Sequence, residues 1–172
     1  MGRITESLIA EIEQEAATTR RVLERVPGDK LDWKPHSKSM TLGQLAFHIA
    51  GLTGGIAEAM TQASLDVSEI KPPSAGPIQD LLPQFDASVN RAKEILSMTD
   101  DASLMQEWSL IAGGTPIFTV PRLGLARTIM MNHVYHHRGQ LSVYLRLLDV
   151  PVPSIYGPSA DENPFAEQNS GR

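Results

Sequence analysis

Pro121-Arg-Leu-Gly-Leu-Ala-Arg-Thr-Ile-Met-Met-Asn-His-Val-Tyr-His-His-Arg-Gly-Gln-Leu-Ser-Val-Tyr-Leu-Arg-Leu-Leu148 reads as one long amphipathic helix. Leu123, Ala126, Met130, Val134, Leu141, Leu145 and Leu148 recur at helical spacing, Pro121 suits the first turn, and Pro151 and Pro153 end the pattern. The histidines inside it are sorted by a helical wheel. Turning about 100° per residue from His133 puts Met130 at about 60°, Leu141 at about 80°, Val134 at about 100° and His137 at about 40°. His137 therefore falls within the apolar stripe and His133 on its edge. His136, at about −60°, falls outside. Gln140 and Tyr144, at about −20° and about 20°, face the same way as the inner pair, whereas Arg138 points away and is expected to pair with the acidic tail at Asp161 or Glu162.

Working outward, Thr41-Leu-Gly-Gln44 has the form of a capping box, and Met40 with Leu45 that of a hydrophobic staple. They start a second helix carrying Leu45, Ile49, Leu52, Ile56 and Met60 on one stripe, with His48 at its margin. Leu8, Ile12, Ala16, Leu23 and Val26 mark a first helix stopped by Pro27-Gly28. Leu81, Leu82, Phe85, Val89, Ala92 and Leu96 mark a third, after a loop broken by Pro72-Pro73 and Gly76-Pro77. The spacing predicts helices at about 4–26, 41–62, 78–98 and 121–148, with a turn-rich tail over 152–172. Asp29 to Met40 is an ordered connection anchored by Trp33. Trp108 to Val120, around Gly113-Gly114, is a short hairpin or an irregular loop. These elements predict an all-α, four-helix-bundle fold in a single domain over 1–172.

Composition narrows the chemistry. With 41% hydrophobic and 20% charged residues the chain belongs with folding sequences, and 172 residues suit one core. A formal net charge of −5 with scattered basic residues offers no footprint for nucleic acid or an anionic membrane. The absence of cysteine excludes disulfides, thiolate ligands, iron–sulfur clusters and a cysteine nucleophile. No apolar stretch is long enough to span a bilayer and the N-terminus has no signal-peptide pattern, so a cytoplasmic location is expected.

His133 and His137, one turn apart, form the pair by which a helix presents two imidazoles to one ion, and His48 offers a third. Gly51, Gly54 and Gly55 cluster around His48, where each glycine costs a helix up to about 1 kcal/mol; open space beside a metal would explain them. Three neutral imidazoles suit one divalent ion, Zn or Ni first, with Fe, Co or Mn as alternatives, and they leave coordination positions free. The glutamate of a zinc-protease motif is missing, since Val134 follows His133. His36 reads as a surface histidine, and Trp33, Trp108 and the methionines as core.

The order Trp33-Lys-Pro35, then Thr41-Leu-Gly-Gln-Leu-Ala-Phe-His48, then Asn132-His-Val-Tyr-His-His-Arg-Gly-Gln-Leu141, then Tyr156-Gly-Pro-Ser-Ala-Asp-Glu162 resembles the DinB/YfiT-like superfamily of metal-dependent enzymes. The resemblance spans most of the chain and implies a four-helix bundle, commonly paired into homodimers. It implies the same three ligands, His48, His133 and His137, and relatives that are transferases or isomerases using low-molecular-weight thiols. Three readings are then open for a small-molecule substrate. The first is a transferase whose thiol cofactor is activated at the metal, and the second a hydrolase using metal-bound water, although no Asp or Glu lies beside the ligands on either wheel. The third is a non-catalytic metal-binding stress protein. Gln140 and Tyr144 are placed to orient a substrate or water in either enzyme.

Overall fold

The computed structural model describes residues 2–166. Four long helical stretches make up most of it: α1 (Arg3–Leu23), α2 (Leu42–Met60), α3 (Ile78–Ser97) and a final stretch built from α5 (Arg122–Leu125), a π-helical turn (Ala126–Met131) and α6 (Asn132–Leu147). A single-turn helix, α4 (Asp101–Leu104), precedes the hairpin.

The start of α2 follows from its cap. The Thr41 hydroxyl accepts from the Gln44 amide at 3.1 Å and the Thr41 amide donates to the Gln44 side chain at 2.9 Å, satisfying two otherwise orphaned donors. α2 is the central helix, packed along α3 and against the π turn and α6, while α1 packs chiefly on α3 and meets α6 over a short stretch. Its apolar residues are buried almost all round, which is why Leu42, Leu45, Ala46, Ile49, Ala50 and Ala57 are all inaccessible. One core cluster joins Val22, Leu23, Leu45, Ile49, Leu81, Phe85, Leu141 and Leu145. A second joins Leu8, Ile12, Met60, Leu96, Leu104, Trp108, Leu125 and Met130. Each fully buried leucine of these stripes stabilises the fold by about 1.5–3 kcal/mol.

The all-α expectation needs correction. A three-stranded sheet, ordered β1 (Ser64–Asp66), β2 (Glu107–Ala112) and β3 (Thr115–Pro121), caps the second cluster; β1 runs parallel to β2, and β2 pairs antiparallel with β3. The hairpin turns on Gly113 and Gly114, whose φ values of 54° and 83° are those of a tight primed turn. Trp108 sits on β2, 3% exposed, and its indole N–H donates to the Ala59 carbonyl at 3.0 Å, fastening the sheet to the end of α2. β1 is only three residues long, too short for its alternation to register.

The expected uninterrupted last helix is also corrected. Six residues before α6 are wound as a π turn, which carries an extra residue per turn and shifts the helical phase of the residues beyond it. His133, His136 and His137 all lie after it, in regular α-helix, so their mutual angles are those of the wheel.

Candidate metal centre

His48 comes from the second turn of α2, and His133 and His137 from the first two turns of α6, the two helices being in direct contact. The three rings converge. His48 lies 5.2 Å from His133 and 4.7 Å from His137 between ring centroids, and the α6 pair are 4.5 Å apart. One nitrogen from each ring can be chosen so that all three lie within 4.8 Å of one another. Nε2 of His48 and Nε2 of His133 are 3.5 Å apart. Two nitrogens each about 2.0–2.1 Å from a tetrahedral ion would be separated by about 3.4 Å, so this spacing fits the donor set of a metal.

The environment keeps the rings neutral. Burial lowers the pKa of all three, and His48, which also faces His137 and His133, is held down to about 4. The second ring nitrogen of His137 has a partner. Gln140 Oε1 accepts from Nδ1–H of His137 at 2.7 Å, which leaves Nε2 of that ring as a bare lone pair. A backbone hydrogen bond to Ile129, inside the π turn, partly offsets the lowering at His133.

His136 packs against His137 with ring centroids 5.0 Å apart and the rings tilted by 60°, but it is exposed and lies outside the group. His36 is exposed in the α1–α2 connection, where its Nδ1 accepts from the Lys38 amide. Tyr144 is turned to other partners: its hydroxyl donates to the Met40 carbonyl at 3.3 Å and its ring meets Trp33 edge-on at 5.6 Å.

A cleft of about 290 Å³ opens beside His48, lined by Phe47, Gly51, Gly55 and Ile56 of α2, by Pro72, Pro73 and Ser74 of the loop, and by Gln84 of α3. Neither Gln140 nor Tyr144 lines this cleft, whose opposite wall is the proline-rich loop and α3. The glycines divide. A methyl group on Gly55 would meet nothing within 4 Å and one on Gly51 only the Gln84 side chain, whereas on Gly54 it would lie 2.8 Å from the Ser88 carbonyl. Gly54 serves close helix packing; Gly51 and Gly55 keep the cleft open.

Arg138 corrects the sequence reading most sharply. It is 1% exposed and pairs at 2.7 Å with Glu15 of α1, not with Asp161 or Glu162, which bind Arg146 and Arg21 instead. The wheel carried the signal: Arg138 stands at about 140°, bordering Val134 and so the apolar stripe. Gln84 and the Pro72–Ser74 wall had no comparable signal, because their place depends on how α3 and the loop before it pack onto α2.

The sequence profile of the DinB family matches residues 1–169. The uncharacterized protein YrdA of Bacillus subtilis (strain 168) is 29% identical over 153 residues, covering 87% of this chain and 86% of that protein. Among solved structures, a DinB-like protein from Bacillus cereus ATCC 10987 shares the fold with a TM-score of 0.71 at 22% identity, over 88% of this chain and 97% of that one. A mycothiol-dependent maleylpyruvate isomerase has a TM-score of 0.52 at 14% identity, over 87% of this chain and 62% of its own. Among the described residues no helix is long and apolar enough to cross a membrane.

Proposed function

The chain belongs to the DinB family, and on that premise we propose that it is a metal-dependent transferase in which His48, His133 and His137 hold one divalent ion and a small thiol is the nucleophile. The observation that carries this reading is the convergence of three neutral imidazoles beside a cleft. An ion held there would supply Lewis-acid stabilisation of a thiolate at neutral pH. Zn and Ni suit three imidazoles best, with Fe, Co and Mn next. The thiol is supported by the fold shared with a mycothiol-dependent isomerase.

The chain's own residues do the positioning. Gln140 fixes the tautomer of His137, and burial keeps the rings unprotonated at neutral pH. Phe47, Ile56, Pro72 and Pro73 offer apolar faces to a small electrophile, with Ser74 and Gln84 as uncharged polar handles. Among the described residues no carboxylate joins the histidine group or lines the cleft, so a hydrolytic reading lacks a general base. The cleft also speaks against a purely structural ion. Pairing into a homodimer belongs to the same proposal, supported by Val143 and Leu147, which stand 56% and 57% exposed one turn apart on α6.

Metal analysis of the purified protein, combined with a panel of thiol-conjugation assays, tests the reading. The expected result is about one ion per chain and metal-dependent consumption of one thiol. A fully metal-loaded protein that consumes none of them would overturn the transferase assignment.

A further inference from the structure

We propose that Arg138 is a positioning residue, buried against α1 so as to fix the roll of α6 that aims His133 and His137 at His48. The proposal rests on the metal reading above but concerns a group on a different face of the helix.

Arg138 is among the largest fully buried side chains of the protein. Its guanidinium meets the Glu15 carboxylate at 2.7 Å, the Thr19 hydroxyl at 3.0 Å and the Glu15 carbonyl at 3.3 Å, all on α1. The tail folds over it, and the Tyr156 hydroxyl accepts from Arg138 while donating to the same carboxylate at 2.9 Å. The Tyr135 and Tyr156 rings cover the guanidinium at 5.3 and 4.9 Å. Among the described residues no buried side-chain polar atom is left without a partner.

Such a buried ion pair is a poor way to gain stability, because desolvating both charges offsets most of their attraction. It is a good way to fix geometry, because a planar fork held at several points on one helix tolerates little rotation. His137 and Arg138 are consecutive and therefore point about 100° apart. One reaches α2 and the other α1, so the two together determine the roll of α6 between its neighbours. The need for such a fix is local. The π turn breaks the regular phase just before His133, and α1 meets α6 over only a short stretch, so apolar packing alone holds the roll loosely. A roll of about 15° at a side-chain radius of about 5–6 Å moves a ring by about 1.5 Å, beyond the roughly 0.5 Å that a preorganised site tolerates.

The test compares Co(II) binding and its visible ligand-field spectrum in the full-length wild type, in Arg138→Lys, and in the double variant Arg138→Met with Glu15→Leu. The lysine keeps the charge without the fork; the double variant removes both charges, a change that buried pairs often tolerate thermally. Both variants are expected to keep the helical circular dichroism of the wild type, to bind Co(II) about tenfold or more weakly, and to show a shifted or weakened spectrum. If the double variant does not fold, Arg138→Lys decides alone. Spectra identical to the wild type would overturn the proposal whatever happens to stability, because a purely structural arginine would leave the coordination geometry alone. A wild type that takes up no Co(II) would overturn the metal reading, and this proposal with it.

Discussion

Gln140 holds His137: its side-chain oxygen accepts the Nδ1–H of the imidazole at 2.7 Å, three residues along the same face of α6. The acceptor assigns the proton to Nδ1 and leaves Nε2 free, and it restrains the ring's rotation. Gln140 is itself exposed, so replacing it disturbs little of the core. Gln140→Ala is expected to weaken metal binding by about 10–100-fold with an unchanged circular dichroism spectrum, read by competition with a chromophoric chelator. An unchanged affinity would show that the hydrogen bond does not orient the ring.

His36 and His136 provide the matching control. Both are exposed and outside the convergent group, although His136 touches the His137 ring. Alanine at either position should leave about one ion per chain, whereas alanine at His48, His133 or His137 should each remove most of it, since two imidazoles bind far more weakly than three. Metal content after dialysis distinguishes these outcomes. Loss of the ion from His136→Ala alone would mean that the α6 face has been assigned with the wrong rotation.

The inward aim of His133 and His137 was legible because it depends on the α-helical repeat alone, and the repeat is regular from Asn132 onward. The cap at Thr41 was legible for the same reason: its partner is three residues away. The features that the sequence did not disclose depend on contacts distant along the chain. β1 pairs with a strand more than forty residues later in a register that its three residues cannot encode. Arg138 looked solvent-facing because a charge is normally placed on the polar side of a wheel, and its burial depends on Glu15 from α1 and Tyr156 from the tail arriving together.

Tyr135 and Tyr156 yield a prediction at alkaline pH. Burial pushes both phenols above their ordinary value, and the carboxylates of Glu11 and Glu15, to which they donate, add to the effect. A folded-state pKa above the unfolded one contributes stability that is complete below the unfolded pKa, about 10, and is lost as pH rises beyond it. Of the three tyrosines, two should therefore remain un-ionised in the folded protein where a free phenol is half ionised, as followed by tyrosinate absorbance. Thermal stability should fall above that pH, and less steeply in Tyr135→Phe. Titration of Tyr135 and Tyr156 at the free-phenol value would contradict their hydrogen bonds to Glu11 and Glu15.

Gly54 and Gly55 are adjacent on α2, yet substitution should act on them in opposite directions. A methyl group at Gly54 would sit 2.8 and 2.9 Å from the Ser88 carbonyl oxygen and Cα, backbone atoms of α3 that cannot turn aside, while the Gly54 amide donates to the Ser88 hydroxyl at 2.8 Å. Gly54→Ala should thus destabilise the fold by about 1–3 kcal/mol through overpacking, less the gain of up to about 1 kcal/mol that alanine brings to a helix. At Gly55 nothing opposes the methyl group, so Gly55→Ala should raise stability by about 0.5–1 kcal/mol. A larger residue there has room to extend over the cleft that Gly55 lines together with His48 and Gly51. Gly55→Leu should accordingly keep its metal and its fold while losing thiol-conjugating activity, because the side chain occupies the space assigned to the electrophile. Chemical denaturation, metal content and the conjugation assay on these three variants separate packing from access. Full activity in Gly55→Leu would place the substrate elsewhere than in this cleft.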